Sequence, residues 1–211
     1  MRAPHLYEQF EDLDKQAHAS RLGMWAFLGS ELLLFAGLFA LYAGYRAMYP
    51  WEFAVAVGHD NIAIGSANTV VLITSSFTVA MSLHAVRRGH PRRAAWLLVF
   101  SVACGLLFLV LKGIEYGQHL HEGIAPGIMY HYPALPAPGA RLFFTLYYLM
   151  TGLHGIHVIV GMGLLTWLAV GCWRRAYSPA RYIHLELGAL YWHLVDLVWI
   201  FLWPMLYLMH R

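Results

Sequence analysis

The stretch Glu186–Tyr207, ELGALYWHLVDLVWIFLWPMLY, decides the fold. About twenty mostly apolar residues cross a bilayer as a helix. This run is long enough, yet it carries Glu186, His193 and Asp196, which hydrocarbon does not tolerate unpaired. These three groups must therefore face protein. At about 100° per residue, Glu186 and His193 lie ~20° apart on the helical wheel and Asp196 ~60° further round, so they form one polar stripe. Trp192, Trp199 and Trp203 make a second stripe beside it. A helix with a polar seam next to an aromatic edge is built to be surrounded by other helices.

The rest of the chain supplies those helices. Apolar runs cover about residues 22–45, 64–86, 94–116 and 142–170, with 186–208 as the fifth. A composition 60% hydrophobic and 12% charged lies far from that of a soluble domain. The pattern predicts an all-α integral membrane bundle of five transmembrane helices occupying 21–211. Residues 1–20 read as a separate cytoplasmic, interfacial segment. There Leu6, Phe10 and Leu13 recur at helical spacing among Glu8, Glu11, Asp12, Asp14, Arg2 and Lys15. The first apolar run is too long for a cleaved leader and lacks a cleavage site, so it is expected to be retained. Cys104 and Cys172 have no spacing that suggests a metal or haem site and read as packing residues.

The connectors are unequal, and that sets an expected orientation. The two short ones hold Arg87, Arg88, Arg92, Arg93, Arg174, Arg175 and Arg181, whereas 48–63 and 118–139 contain no Lys or Arg. The positive-inside rule places the short loops in the cytoplasm, with the N-terminus inside and the C-terminus outside. The small net charge of +3 thus speaks of membrane orientation and not of nucleic acid, for which no binding is expected. Trp25, Trp51, Trp96, Trp173 and Tyr177 fall near span ends, where an aromatic belt belongs.

Depth follows from a rise of about 1.5 Å per residue. Glu31 lies roughly 15 Å into the first span, close to the midplane, and is expected to be protonated or bonded to an Arg or His. It reads either as a proton- or lipid-related carboxyl or as a structural tie. His154 and His157 sit one turn apart in the fourth span among Gly152, Gly155, Gly161 and Gly163, which let a neighbour approach closely. With Glu186, His193 and Asp196 they read as an interhelical polar network, one of the two histidines bonding Asp196 or Glu186. A metal or haem site is the sharper alternative. The Glu-x-x-His pairs of carboxylate-bundle metal sites are missing, however, and no metal is expected. Lys112 and Glu115 read as an interfacial ion pair that reaches water. On that reading Asp196→Ala costs more stability than Lys112→Ala. Asn68, Thr69, Thr74, Ser75 and Ser76 are hydrogen-bonding residues between helices, and His119, His121 and His131 are read as solvated loop residues. Arg46 and Arg181, near opposite faces, are candidates for phosphate headgroups.

Motifs carry the reading further. GMWAFLGSELLLFAG at 23–37, NTVVLITSSFT at 68–78, Glu115-Tyr116, TGLHGIHVIVG at 151–161 and YWHLVDLVWIFLWPMLY at 191–207 stand one per span. Together they resemble subunit III of the haem-copper cytochrome c oxidases. The resemblance covers nearly the whole chain, and the fifth motif is the most specific. Glu31 matches that family's intramembrane Glu in its Ser-Glu motif, and His154, His157, Glu186, His193 and Asp196 match its interhelical polar positions. Longer members have seven helices, and this chain begins at what would be their third, like the five-helix bacterial form.

The resemblance implies a chain without catalytic residues, haem or copper of its own. The redox centres belong to subunits I and II, and subunit III packs on subunit I, binds phospholipid, supports proton uptake and prolongs the life of the enzyme. It implies a proton-pumping complex of the bacterial plasma membrane that reduces oxygen with cytochrome c or quinol. Subunit II, small subunits and a respiratory supercomplex are the further expected partners. A homologue associated with nitric oxide reductase and a metal- or haem-binding membrane enzyme are the alternatives.

Overall fold

A computed structural model of the chain describes residues 11–58, 61–132, 135 and 137–209. It is helical, and no β-strand forms among the described residues. The elements are α1 (Leu13–Met48), α2 (Pro50–Val57), α3 (Ile62–Arg87), α4 (Pro91–His121), a 3-10 turn at Gly127–Met129, α5 (Pro138–Trp173) and α6 (Ile183–Tyr207). Five of them, α1 and α3 to α6, are long and apolar enough to cross a membrane.

Local chemistry sets the ends. Asp12 caps α1 by accepting the Lys15 N–H at 2.7 Å, and the Asn61 side chain accepts from Ala63 and Ile64 to start α3. Pro50, Pro91 and Pro138 open α2, α4 and α5, where a missing N–H costs nothing. The helices overrun the apolar runs read from sequence because a helix does not stop where its side chains turn polar. Residues 13–20 are accordingly the first turns of α1, while residues 1–10 lie outside the described residues. The connector 48–63 contains α2, which the apolar pattern does not reveal. His119 and His121, read as loop histidines, end α4, and the His119 ring is buried against Phe144, Tyr147 and Tyr148.

Helices α3 and α4 form an antiparallel pair, α5 packs on α4, and α6 packs on α3 and α5. Helix α1 leans chiefly on α5 and α6, and α2 lies against α5 at the rim that carries the long connectors. The opposite rim carries the short basic loops. The aromatic stripe of α6 fills the centre: Trp192 and Trp199 are fully buried, and each indole N–H is satisfied by α3. Trp192 Nε1 donates to Ser75 Oγ at 2.9 Å and Trp199 Nε1 to Thr69 Oγ1 at 3.1 Å. Gly161 of α5 admits the Trp192 ring, since a Cβ there would lie 2.7 Å from it. The close neighbour at Gly161 is therefore an indole and not a backbone, while a Cβ at Gly152, Gly155 or Gly163 would meet nothing closer than 3.9 Å.

In the short loop between α5 and α6, Tyr177 folds back over Gly171 and is only 8% exposed, while Trp25, Trp51, Trp96 and Trp173 stay exposed. Burial pushes the Tyr177 hydroxyl up to about 12, so it stays neutral.

Gly161→Leu forces Leu against Trp192 and is expected to lower stability by about 1–3 kcal/mol. Gly37→Leu, on a face of α1 with nothing within 4 Å, changes it by less than ~0.5 kcal/mol. Thermal unfolding in detergent, followed by circular dichroism, compares the two.

Candidate functional site

The polar residues predicted at membrane depth fall into separate clusters. Nearest the long-connector rim, α4 presents Lys112 and Glu115 on one face, three residues apart. The three N–H groups of the Lys112 ammonium find three oxygens: Glu115 Oε2 at 2.9 Å, Tyr147 OH at 2.7 Å and Tyr207 OH at 2.9 Å. The Tyr207 hydroxyl in turn donates to Glu115 Oε1 at 2.7 Å. The Tyr147 ring face lies 4.6 Å from the ammonium, which adds a cation–π contact.

The pair forms as the sequence reading expects, but its side chains do not reach water. Lys112 is 6% and Glu115 1% exposed. The physical reason is that α4 continues beyond them to His121 and α5 begins at Pro138, so aromatic side chains of α5 and α6 close over the pair.

Near mid-helix, Glu31 of α1 meets His157 of α5, with Oε2 and Nε2 2.9 Å apart. His157 Nδ1 lies 2.8 Å from the Leu153 carbonyl, which only accepts, so Nδ1 carries a hydrogen and donates. Two arrangements then remain. Either Glu31 is protonated and donates to Nε2, or an imidazolium donates to a carboxylate. The pair lies in apolar surroundings that include the Phe35 ring, 5.3 Å from the His157 ring.

The remaining members of the expected network do not bond one another. His193 Nδ1 meets Ser76 Oγ of α3 at 2.6 Å, and that hydroxyl is also the neighbour of Asp196. Both Asp196 oxygens and both His154 ring nitrogens are buried without a hydrogen-bond partner. The His154 ring lies between Phe108 and Trp199, with centroids 5.4 and 5.2 Å away. Glu186, at the short-loop rim, pairs with Arg21 of α1: Nε donates to Oε1 at 3.0 Å and Nη2 to Oε2 at 3.1 Å. Distance along α6 explains the split, because Glu186 and Asp196 lie ten residues, about 15 Å, apart.

At the long-connector rim Arg46 Nη2 donates to the Met209 carbonyl at 2.7 Å, beside Tyr42 OH donating to the Met205 carbonyl at 2.7 Å. Arg181 lines a cavity of about 970 Å³ at the other rim, with Lys15, His18 and Arg21. Sequence reading missed Arg21, Tyr147 and Tyr207. Matching depth across helices finds Arg21, the last basic residue before the first span, opposite the start of α6. No such signal marks the tyrosines, which read as ordinary belt or core aromatics. Among the described residues, no group of three or more His, Cys, Asp or Glu is gathered as a metal site. Cys104 and Cys172 are buried and unpaired.

Two of these ties between helices, Glu31 to His157 and Tyr207 to Glu115, join residues of the motifs that mark the sequence. Residues 14–210 match the family model described as cytochrome c oxidase subunit III. The chain belongs to the cytochrome c oxidase subunit III family. It is 30% identical over 186 residues to a probable cytochrome c oxidase subunit 3 of Nocardia farcinica, covering 88% of this chain and 86% of that one. It is 28% identical over 193 residues to a quinol oxidase subunit 3 of Bacillus subtilis, covering 89% and 86%. A cytochrome c oxidase subunit 3 of Oncorhynchus mykiss is 31% identical over 196 residues, covering 89% of this chain and 68% of that one. A subunit III is a part of an oxidoreductase complex, so this chain assembles with other oxidase subunits.

Two expectations follow from the geometry. Lys112→Met strands the Glu115 carboxylate and is expected to cost about 3–5 kcal/mol. Asp196→Asn removes no hydrogen bond and changes stability by less than ~1 kcal/mol. Thermal unfolding of the two variants reads these costs. For Glu31 and His157, a double-mutant cycle with Glu31→Gln and His157→Ala is expected to give a coupling of about 1–3 kcal/mol.

Proposed function

We propose that the chain is the non-catalytic subunit III of a proton-pumping haem-copper terminal oxidase in a bacterial plasma membrane. The family match along 14–210 carries this reading. The bacterial assignment is supported by similar proteins of bacteria, the subunit 3 chains of Nocardia farcinica and Bacillus subtilis. In this reading the short-loop rim, with Arg87, Arg88, Arg92, Arg93, Arg174, Arg175 and Arg181, faces the cytoplasm. The chain packs on subunit I, which with subunit II holds the haem and copper, and the donor is cytochrome c or quinol.

The chain's own contribution is to hold protonatable groups and lipids beside the redox subunit. Glu31 and His157 are hydrogen-bonded to each other at mid-helix, with 18% and 15% of their side chains exposed. That location supports a role in proton supply to the neighbouring subunit. Arg181, beside the rim cavity, suits a phosphate headgroup, and Arg46, at the opposite rim, suits a second one.

Affinity purification through a tag on this chain is expected to bring down subunits I and II with stoichiometric haem. An enzyme lacking the chain is expected to start at the normal rate of electron transfer and to lose activity sooner during turnover. Oxygen-uptake traces measure both the initial rate and its decay. Purification with no haem-bearing partner, or immediate loss of haem on removing the chain, overturns the proposal.

A further inference from the structure

The hydroxyls of α3 follow one habit with a single exception among the described residues. Ser66, Thr69, Thr74, Ser75, Thr78 and Ser82 each donate to a carbonyl three or four residues back in their own helix, at 2.7–2.9 Å. Ser76 makes no such bond, and its Oγ lies 2.6 Å from His193 Nδ1 of α6. Its hydroxyl is therefore used across the helix pair and not on backbone.

That hydroxyl stands between two titratable groups in different surroundings. His193 and Asp196 lie three residues apart, about 60° round α6, and the step between them passes from surface to core. Asp196 is 4% exposed, whereas His193 is only partly buried. Both Asp196 oxygens are enclosed without a hydrogen bond, and Ser76 is the hydroxyl beside them. Cys104 of α4 faces the same carboxyl and His154 of α5 lies against Trp199 one turn along, neither of them bonded to it. His193 Nε2, by contrast, has no partner among the described residues and is not enclosed. His193 is ten residues, about 15 Å, into α6, so that nitrogen opens at mid-membrane where α3 meets α6.

We propose that Asp196, Ser76 and His193 form a proton-storing relay, which binds one proton in the core of the bundle and exchanges it through the α3–α6 surface. A hydroxyl accepts and donates at once, so Ser76 passes a proton between its two neighbours. One rotation of the carboxyl onto Ser76 Oγ closes the path. The Asp196 O–H bond then breaks as its proton joins Ser76 Oγ, and the hydroxyl's own proton moves to His193 Nδ1. The imidazolium so formed releases the proton of Nε2 to a water or side chain at the surface, leaving Asp196 as carboxylate. The reverse sequence refills it. The inference rests on the reading proposed above and gives its proton role a second carboxyl, separate from Glu31.

The test uses the complex purified through this chain and reads carboxyl protonation by infrared spectroscopy, in which a protonated carboxyl has a C=O band that shifts in heavy water. Subtracting the Asp196→Asn spectrum from that of the unaltered complex is expected to leave one such band, which Glu31→Gln does not remove. Where Asp196→Asn does not assemble, Asp196→Glu, which keeps the carboxyl and moves it, shifts the band. Ser76→Ala keeps the band but slows its exchange into heavy water about ten-fold, and Ser76→Thr, which restores a hydroxyl, restores the rate. His193→Gln slows exchange to the same degree, while Thr74→Val, at a hydroxyl that serves its own helix, leaves the rate unchanged. A structural tie alone leaves all these exchange rates alike. No band assignable to Asp196, exchange at the unaltered rate in Ser76→Ala, or Ser76→Thr as slow as Ser76→Ala overturns the proposal. Haem-bearing subunits with exchange indifferent to Ser76 sink this inference alone. Slowed exchange in a complex without haem sinks the oxidase reading alone.

Discussion

An ammonium group inside a helical bundle has to be surrounded by oxygen, or the desolvation cost drives it out. Lys112 meets that demand with oxygens from three helices: Glu115 on its own α4, Tyr147 on α5 and Tyr207 on α6. The arrangement leaves little freedom. Tyr207 can reach Lys112 only if α6 is helical to its last turn, and Tyr147 only if α5 lies at one height against α4. The cage thus sets the vertical register of three helices at the rim where the long connectors meet. Farther down, the indoles of Trp192 and Trp199 set the height of α6 against α3 through Ser75 and Thr69.

Hydrophobic attraction contributes little to this choice, because lipid is as apolar as leucine and does not sort one helix face from another. Hydrogen bonds and close fit do that sorting. Gly161 and Gly105 make room for the Trp192 ring from two sides, and the ring in turn carries the N–H that finds Ser75. A size constraint and a polar constraint are met by the same residue, so the α6 stripe that is aromatic is also the one that is most specific.

The architecture was legible in the sequence because bilayer thickness acts on every span alike: apolar run length alone located the five long helices. Their ends were not, since Asp12, Asn61 and the opening prolines set them, not hydropathy. The site was legible as a set of residue types at given depths. Glu31 and His157 are both near the midplane, and depth alone makes them candidates for each other. Partner choice was less accessible. Glu186 looked like a neighbour of His193 on the wheel, yet the wheel ignores height, and Arg21 stands where Glu186 emerges. Lys112 was misplaced because exposure at a span end depends on how far neighbouring helices extend, which a single apolar run does not record. Asp196 and His154 kept their predicted burial without the predicted bonds.

Helix α1 is the loosest member of the bundle and is held by a few polar contacts: Arg21 to Glu186, Glu31 to His157, and Tyr42 and Arg46 to the carbonyls of Met205 and Met209. Those partners are 165, 126 and, for both of the last two, 163 residues later in the chain. During synthesis α1 therefore emerges before anything it is to bond has been made. Glu31 must wait in the bilayer until α5 arrives with His157, and Arg21 must wait for α6. The contacts that hold the first helix made are therefore completed only when the last one is in place.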